Sequence, residues 1–164
     1  FNTTMFINEA KDKAMGKGKL RRNDVVMTTR GTIGNLGVYN DQVGFDNIRI
    51  NSGMLIFRPN LKKITSEYLF EILRSAIIKD QIKKQVTGAA QPQLPIKTLV
   101  NFIFPVPKSL KDQHAIVDKL AALSVETKKL ESIYQAKINN LEELKKSILH
   151  KAFSGELTLT EVAS

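Results

Sequence analysis

The residues with the most chemical promise lie in "MTTRGTIGN", positions 27–35. Gly31, Gly34 and, two residues beyond, Gly37 recur there at spacings of three after an apolar run. Glycines that bring a backbone close to a phosphate suit a nucleotide loop. A dinucleotide fingerprint, however, needs Gly-x-Gly-x-x-Gly leading into a helix, and a P-loop needs Gly-Lys-Ser/Thr. Here "VYNDQVGF" follows and "RGTIGN" holds no lysine, so the helix N-terminus that would receive an anion is missing. The minimum role of the stretch is a tight turn between antiparallel strands. A further role joins the two ideas: the glycines admit a large polyanion, and Thr29, Arg30 and Thr32 offer donors to its phosphates or base edges. The loop "GAAQPQL" (88–94) makes a similar offer through Gln91 and Gln93. In the major groove glutamine pairs bidentately with adenine, and arginine with guanine.

Catalytic chemistry has no comparable set of residues. His114 and His150 stand at opposite ends of one long helical pattern, without carboxylates spaced as a ligand set. There is no Gly-x-Ser-x-Gly, no His-Glu-x-x-His and no Asn-Pro-Pro-aromatic methylation motif. No catalytic residue and no metal site is therefore assigned. The chain has no cysteine, which excludes disulfides and thiolate metal sites.

Charge narrows the partner. The chain carries +9 overall; residues 1–111 hold 18 Lys/Arg against 8 Asp/Glu, and residues 112–164 hold 7 against 8. The surplus belongs to the first two-thirds and is dense in "KDKAMGKGKLRR" (11–22), with Lys17, Lys19, Arg21 and Arg22. A basic module points to a polyanion, nucleic acid before membrane, because no basic amphipathic anchor or membrane span is present. A cytoplasmic location is the expectation.

The elements that must position these loops are of two kinds. "DVVMTT" (24–29), "LGVYN" (36–40), "FDNIRI" (45–50) and "GMLIFRP" (53–59) read as short strands between glycines. Connections this tight leave no space for crossover helices, so the strands pair antiparallel. Residues 65–86 read as a helix with Ser66 as N-cap and Leu69, Phe70, Leu73, Ile77 and Ile78 on its apolar face. "NFIFPVP" (101–107) reads as one more strand. From Ser109, with Asp112 three residues on as in a capping box, a different pattern begins. Ile116, Leu120, Leu123, Thr127, Leu130, Tyr134, Lys137, Leu141, Leu144, Ile148 and Lys151 alternate at steps of four and three. That is an a/d heptad seam over about five heptads, closed by Gly155 in a C-cap position. A helix of this length, roughly 65 Å at 1.5 Å per residue, needs a second helix to cover its seam. The expected fold is α+β: a small, mostly antiparallel domain at 1–108, a long helix at 109–153 and a tail at 154–164.

The order of four motifs carries a family resemblance. "RRNDVVMTTRGTIGNLGVY", "TGAAQPQLPIKTLVNFIFPVP", "KDQHAIVDKLAAL" and "LEELKKSILHKAFSGELT" resemble the specificity subunits of type I restriction–modification systems. The first two resemble a target recognition domain, and the last two the helical region that follows it. The resemblance implies a non-enzymatic subunit that reads one part of a split sequence in double-stranded DNA. It implies a methyltransferase (modification) subunit as direct partner and a restriction subunit as indirect partner. S-adenosylmethionine, ATP and Mg are then expected only on those partners. The chain resembles the C-terminal half of such a subunit, either a fragment whose first strands are missing or a half-subunit that pairs with a second copy. Ile116, Leu120, Leu123, Leu130, Tyr134, Leu141, Leu144 and Ile148 would form the pairing seam. The rival reading is a coiled-coil assembly module whose basic domain binds only protein; it leaves the charge split unexplained.

Overall fold

Strand β1 (Asp24–Thr28) lies between β2 (Leu36–Tyr39) and β3 (Met54–Phe57) in a three-stranded antiparallel sheet. The structure is a computed structural model that describes residues 6–88 and 92–156. As the middle strand, β1 is buried on both faces, which is why "VVM" is uninterrupted rather than alternating. Val25 and Met27 enter the main core with Tyr68, Leu69, Leu73, Ile78 and Leu94. Val26 faces the other way, onto Leu20 and Tyr39.

The expected strand at 45–50 is corrected. The segment meets residues 18–20 in a single bridge, Lys19 to Arg49, flanked by Leu20 N–H to Ile48 O and Ile50 N–H to Gly18 O, both 2.9 Å. Gly18 has a positive φ of 89° and turns its segment away after those bonds. Arg49 then donates to the Asp12 carboxylate and to the carbonyls of Asp12 and Lys17. These bonds hold the short helix α1 (Glu9–Ala14) against the sheet. Hydrogen bonds from Arg49, and after it Lys19, keep the Asp12 carboxyl below its ordinary value of 3.8. The contact is therefore complete at neutral pH and is lost only as acid protonates Asp12 through that lowered value.

The helix expected over 65–86 is two helices, α2 (Ser66–Arg74) and α3 (Ala76–Gln85). Thr65, not Ser66, is the N-cap, its hydroxyl accepting the Tyr68 N–H at 3.1 Å. Ser75 adopts an extended conformation, and its hydroxyl donates to Ile72 O at 2.7 Å, a local bond that competes with helix continuation. The break changes the face: Tyr68, Leu69, Ile72, Leu73, Ile78 and Ile82 are buried, whereas Ile77 is exposed.

The strand expected at 101–107 is also corrected. A 3-10 helix (Ile96–Asn101) leads into an extended segment whose prolines cannot donate to a ladder. Side chains replace the ladder. The Gln81 amide bonds both backbone groups of Ile103, the Tyr68 hydroxyl donates to Pro105 O, and the Gln113 amide donates to Pro107 O.

Helix α4 (Leu110–Phe153) has 44 residues. Ser109 Oγ accepts the Asp112 N–H at 3.4 Å. At the far end Gly155 has a φ of 80°, and Glu156 N–H reaches Lys151 O at 3.0 Å. This is the glycine-closed helix end that the spacing predicts. The chain divides into two compact units, residues up to Asp118 and residues from Lys119, so the first turns of α4 belong to the globular unit. Among the described residues no helix is long and apolar enough to cross a membrane.

Candidate nucleic-acid interface

The stretch 28–35 forms the β1–β2 corner. Thr28 N–H donates to Asn35 O and Gly34 N–H to Thr28 O, both at 2.9 Å. The Thr28 hydroxyl donates to Thr32 O and accepts the Asn35 N–H. Gly31 and Gly34 both have positive φ, 68° and 89°, so the turn needs glycine at these points for its backbone alone. The expectation of a strand–turn–strand corner holds.

At the end of β1 the neighbouring chains change. Thr29 N–H and hydroxyl both reach Gly53 O, on the β3 side. On the other side, where β2 has diverged, Leu94 N–H donates to Thr29 O at 2.9 Å and Arg30 bridges to Gln93. Gln93 exchanges two backbone bonds with Thr87, N–H to O at 2.9 Å and O from N–H at 3.0 Å. The two polar loops that the sequence offers separately thus become one surface. Arg30, Thr32 and Gln93 are exposed on it; Thr29 is buried and joins the segments. Gln91 lies outside the described residues. Thr87 is a member of this surface that the sequence reading missed; a threonine before the positive-φ Gly88 is the hairpin signal that marks it.

The basic residues separate into two groups. Arg22 donates to Asn40 O, Val43 O and the Asp46 carboxylate, and its guanidinium stacks 4.4 Å above the Tyr39 ring. Arg58 donates twice to the buried Asp24, at 2.8 and 2.7 Å. Arg49 holds α1, Arg74 meets Glu71 and the Phe70 ring, and Lys19 pairs with Asp12 at 3.2 Å. Lys17, Arg21 and Arg30 are exposed, and among the described residues their charged groups have no partner. The Arg21 N–H helps to bind Asp24, which leaves its guanidinium outward. These three cations and the exposed Lys62, Lys63, Lys84 and Lys97 supply a field to which phosphates respond.

The seam of α4 starts in the first unit at Ile116 and runs on through the second. Ile116, Leu120, Leu123, Leu130, Tyr134, Leu141, Leu144 and Ile148 are 38–64% exposed. A seam this regular and this open is an apolar surface that a second helix can cover. Two of the three polar seam positions have contacts within the helix: Thr127 donates to Leu123 O, and the Lys137 ammonium sits 5.7 Å from the Tyr134 ring.

Residues 6–143 match the family model described as the type I restriction modification DNA specificity domain. The chain is 29% identical over 152 residues to the type I restriction enzyme EcoBI specificity subunit of Escherichia coli, covering 93% of this chain and 31% of that protein. It is 28% identical over 107 residues to the MjaVIII specificity subunit of Methanocaldococcus jannaschii, covering 64% and 23%. Its fold is similar to that of the HsdS subunit from Thermoanaerobacter tengcongensis, with a TM-score of 0.61 and 21% identity over 81% of this chain and 34% of that one. The chain thus spans about a third or less of these relatives.

Proposed function

This chain belongs to the type I restriction–modification DNA specificity family, and from that premise we propose that its globular unit reads one part of a double-stranded DNA target. In this reading it is a non-catalytic subunit. A methyltransferase subunit binds beside it and modifies adenine, and a restriction subunit joins through that complex; S-adenosylmethionine, ATP and Mg belong to those partners. The observation that carries the reading is the family match across a unit that holds the charge surplus and brings exposed donors of two loops together at one corner. Lys17 and Arg21 are assigned to phosphates, with Lys19 near them, and Arg30, Thr32 and Gln93 to the face nearest the bases. Gln91 keeps the base-reading assignment that rests on the sequence alone. Thr29 orders the corner from beneath, and Arg22 fixes the 40–46 loop behind it.

Selection from a randomised duplex pool, at two salt concentrations and with or without a cognate methyltransferase subunit, tests the reading. A short enriched motif is the expected result, with affinity that falls steeply in salt. Binding without enrichment in either condition would leave a basic coiled-coil scaffold and overturn it.

We also propose that the seam of α4 pairs with an equivalent helix, from a second copy of this chain or from the other half of a longer subunit. For the chain alone the expected state at micromolar concentration is a dimer. Introducing Leu130→Asp and Leu141→Asp together buries like charges at two seam positions and should return the mass to that of a monomer by light scattering, with the globular unit still folded. A monomeric wild type would exclude self-pairing.

A further inference from the structure

Arg30 and Gln93 are 63 positions apart in the sequence and meet as a cross-strand pair. Their neighbours Thr29 and Leu94 are 3% and 1% exposed. Extended chains alternate their side chains between faces, so Arg30 and Gln93 project together from the opposite, solvent face. The bond from Leu94 N–H to Thr29 O is the one that flanks a non-hydrogen-bonded antiparallel pair, in which side chains stand closest. Their Cβ atoms in such a pair are about 5 Å apart. A Cβ added at Gly53 would lie 3.7 Å from the Arg30 Cβ, so glycine there keeps the other flank of Arg30 open.

Of the chain's six arginines, Arg22, Arg49, Arg58 and Arg74 are engaged within the protein. Arg21 and Arg30 have guanidinium groups without a partner among the described residues, and of these two it is Arg30 that pairs with a glutamine across a bridge. A two-stranded ribbon fits the major groove, where base pairs succeed one another every 3.4 Å or so. Side chains about 5 Å apart at their roots therefore reach neighbouring pairs. We propose that Arg30 and Gln93 form one composite reader of two adjacent base pairs, Arg30 binding O6 and N7 of a guanine and Gln93 binding N6 and N7 of an adenine. The proposal rests on the DNA-reading function above and adds to it the residues, the bases and their adjacency.

The test repeats the pool selection on the full chain, with its methyltransferase subunit, for wild type, Arg30→Gln and Gln93→Glu, each checked for an unchanged melting temperature. Arg30→Gln should move the preference at one position from guanine to adenine. Gln93→Glu should move the adjacent position from adenine to cytosine, whose N4 amine it can accept. Each variant should lose about ten-fold in discrimination at its own position and leave the other intact. Equal loss of affinity for every sequence, or altered positions that are not adjacent, would overturn the pair. A wild type that enriches a motif which neither variant alters defeats this inference and leaves the DNA-reading function standing. A wild type that enriches none defeats both.

Discussion

Arg58→Ala is expected to lower the free energy of unfolding by about 3 kcal/mol, a change read from urea denaturation of the purified chain. The reason is an asymmetry in burial. Asp24 is 1% exposed and Arg58 side chain 43% exposed. Asp24 accepts both bonds of the Arg58 fork and a third from the Arg21 N–H at 2.7 Å. Removing the arginine strands a buried carboxylate with one donor left, and an uncompensated buried charge is among the costliest defects a core can hold. Partial hydration of the Arg58 side puts the effect at the low end of the usual range. Asp24→Ala leaves an arginine that water can resolvate, so its loss should be smaller, about 1–3 kcal/mol for the unsatisfied Arg21 N–H and the weakened turn. The double variant should be less destabilised than the two single losses added together. Arg58→Lys should recover only part of the loss, because an ammonium cannot form the two-pronged contact. A change of less than about 1 kcal/mol in Arg58→Ala would show that water reaches the Asp24 carboxylate and replaces the arginine. The same pair shows that a count of charged residues does not locate the basic surface: Arg58 is charged, yet it works inside the fold against Asp24.

That distinction marks the boundary of what the sequence makes legible. The corner at 28–35 is readable because local rules govern it: two glycines at positive φ between β-branched runs specify a tight turn. The long helix and its glycine-closed end are readable for the same reason, since a repeat every 3.5 residues survives without tertiary information. The single helix over 65–86 fails where one hydroxyl decides the matter; apolar residues continue through Ser75 at helical spacing, and only the core below selects a new face. The strand at 101–107 fails because its backbone partners are side chains from Tyr68, Gln81 and Gln113. The basic run at 11–22 reads as uniform charge, yet Lys19 and Arg22 meet acids and carbonyls while Lys17 and Arg21 do not. Those partners are supplied by folding, not by neighbours. The pairing of Arg30 with Gln93 belongs to the same class: each loop is legible alone, and only topology sets them side by side.

Gln113→Ala should be the most damaging single truncation of a polar side chain, with an expected loss of about 3–5 kcal/mol. Gln113 lies in the first turn of α4, within "KDQHAIVDKLAAL", and its side chain is fully buried. Its amide oxygen accepts the Thr65 N–H at 2.9 Å. Its amide nitrogen donates to Lys63 O and to Pro107 O, both at 2.9 Å. One residue thus satisfies three backbone groups from the approach to α2 and from the proline segment. Alanine leaves all three unpaired and opens a cavity; each stranded group costs about 1–3 kcal/mol, offset where water enters. Gln113→Leu should be nearly as harmful, because it restores volume without restoring bonds. Gln113→Glu should be no better, since a carboxylate has no proton to give Lys63 O or Pro107 O and brings a charge into a buried site. The seam residues from Lys119 onward belong to the other unit, so the variant should lose melting temperature in its globular unit yet keep the dimeric mass and the helix signal. Equal melting of variant and wild type would mean that water replaces all three bonds. Loss of dimer together with fold would mean that pairing depends on the globular unit, and the seam would then be too weak to assemble by itself.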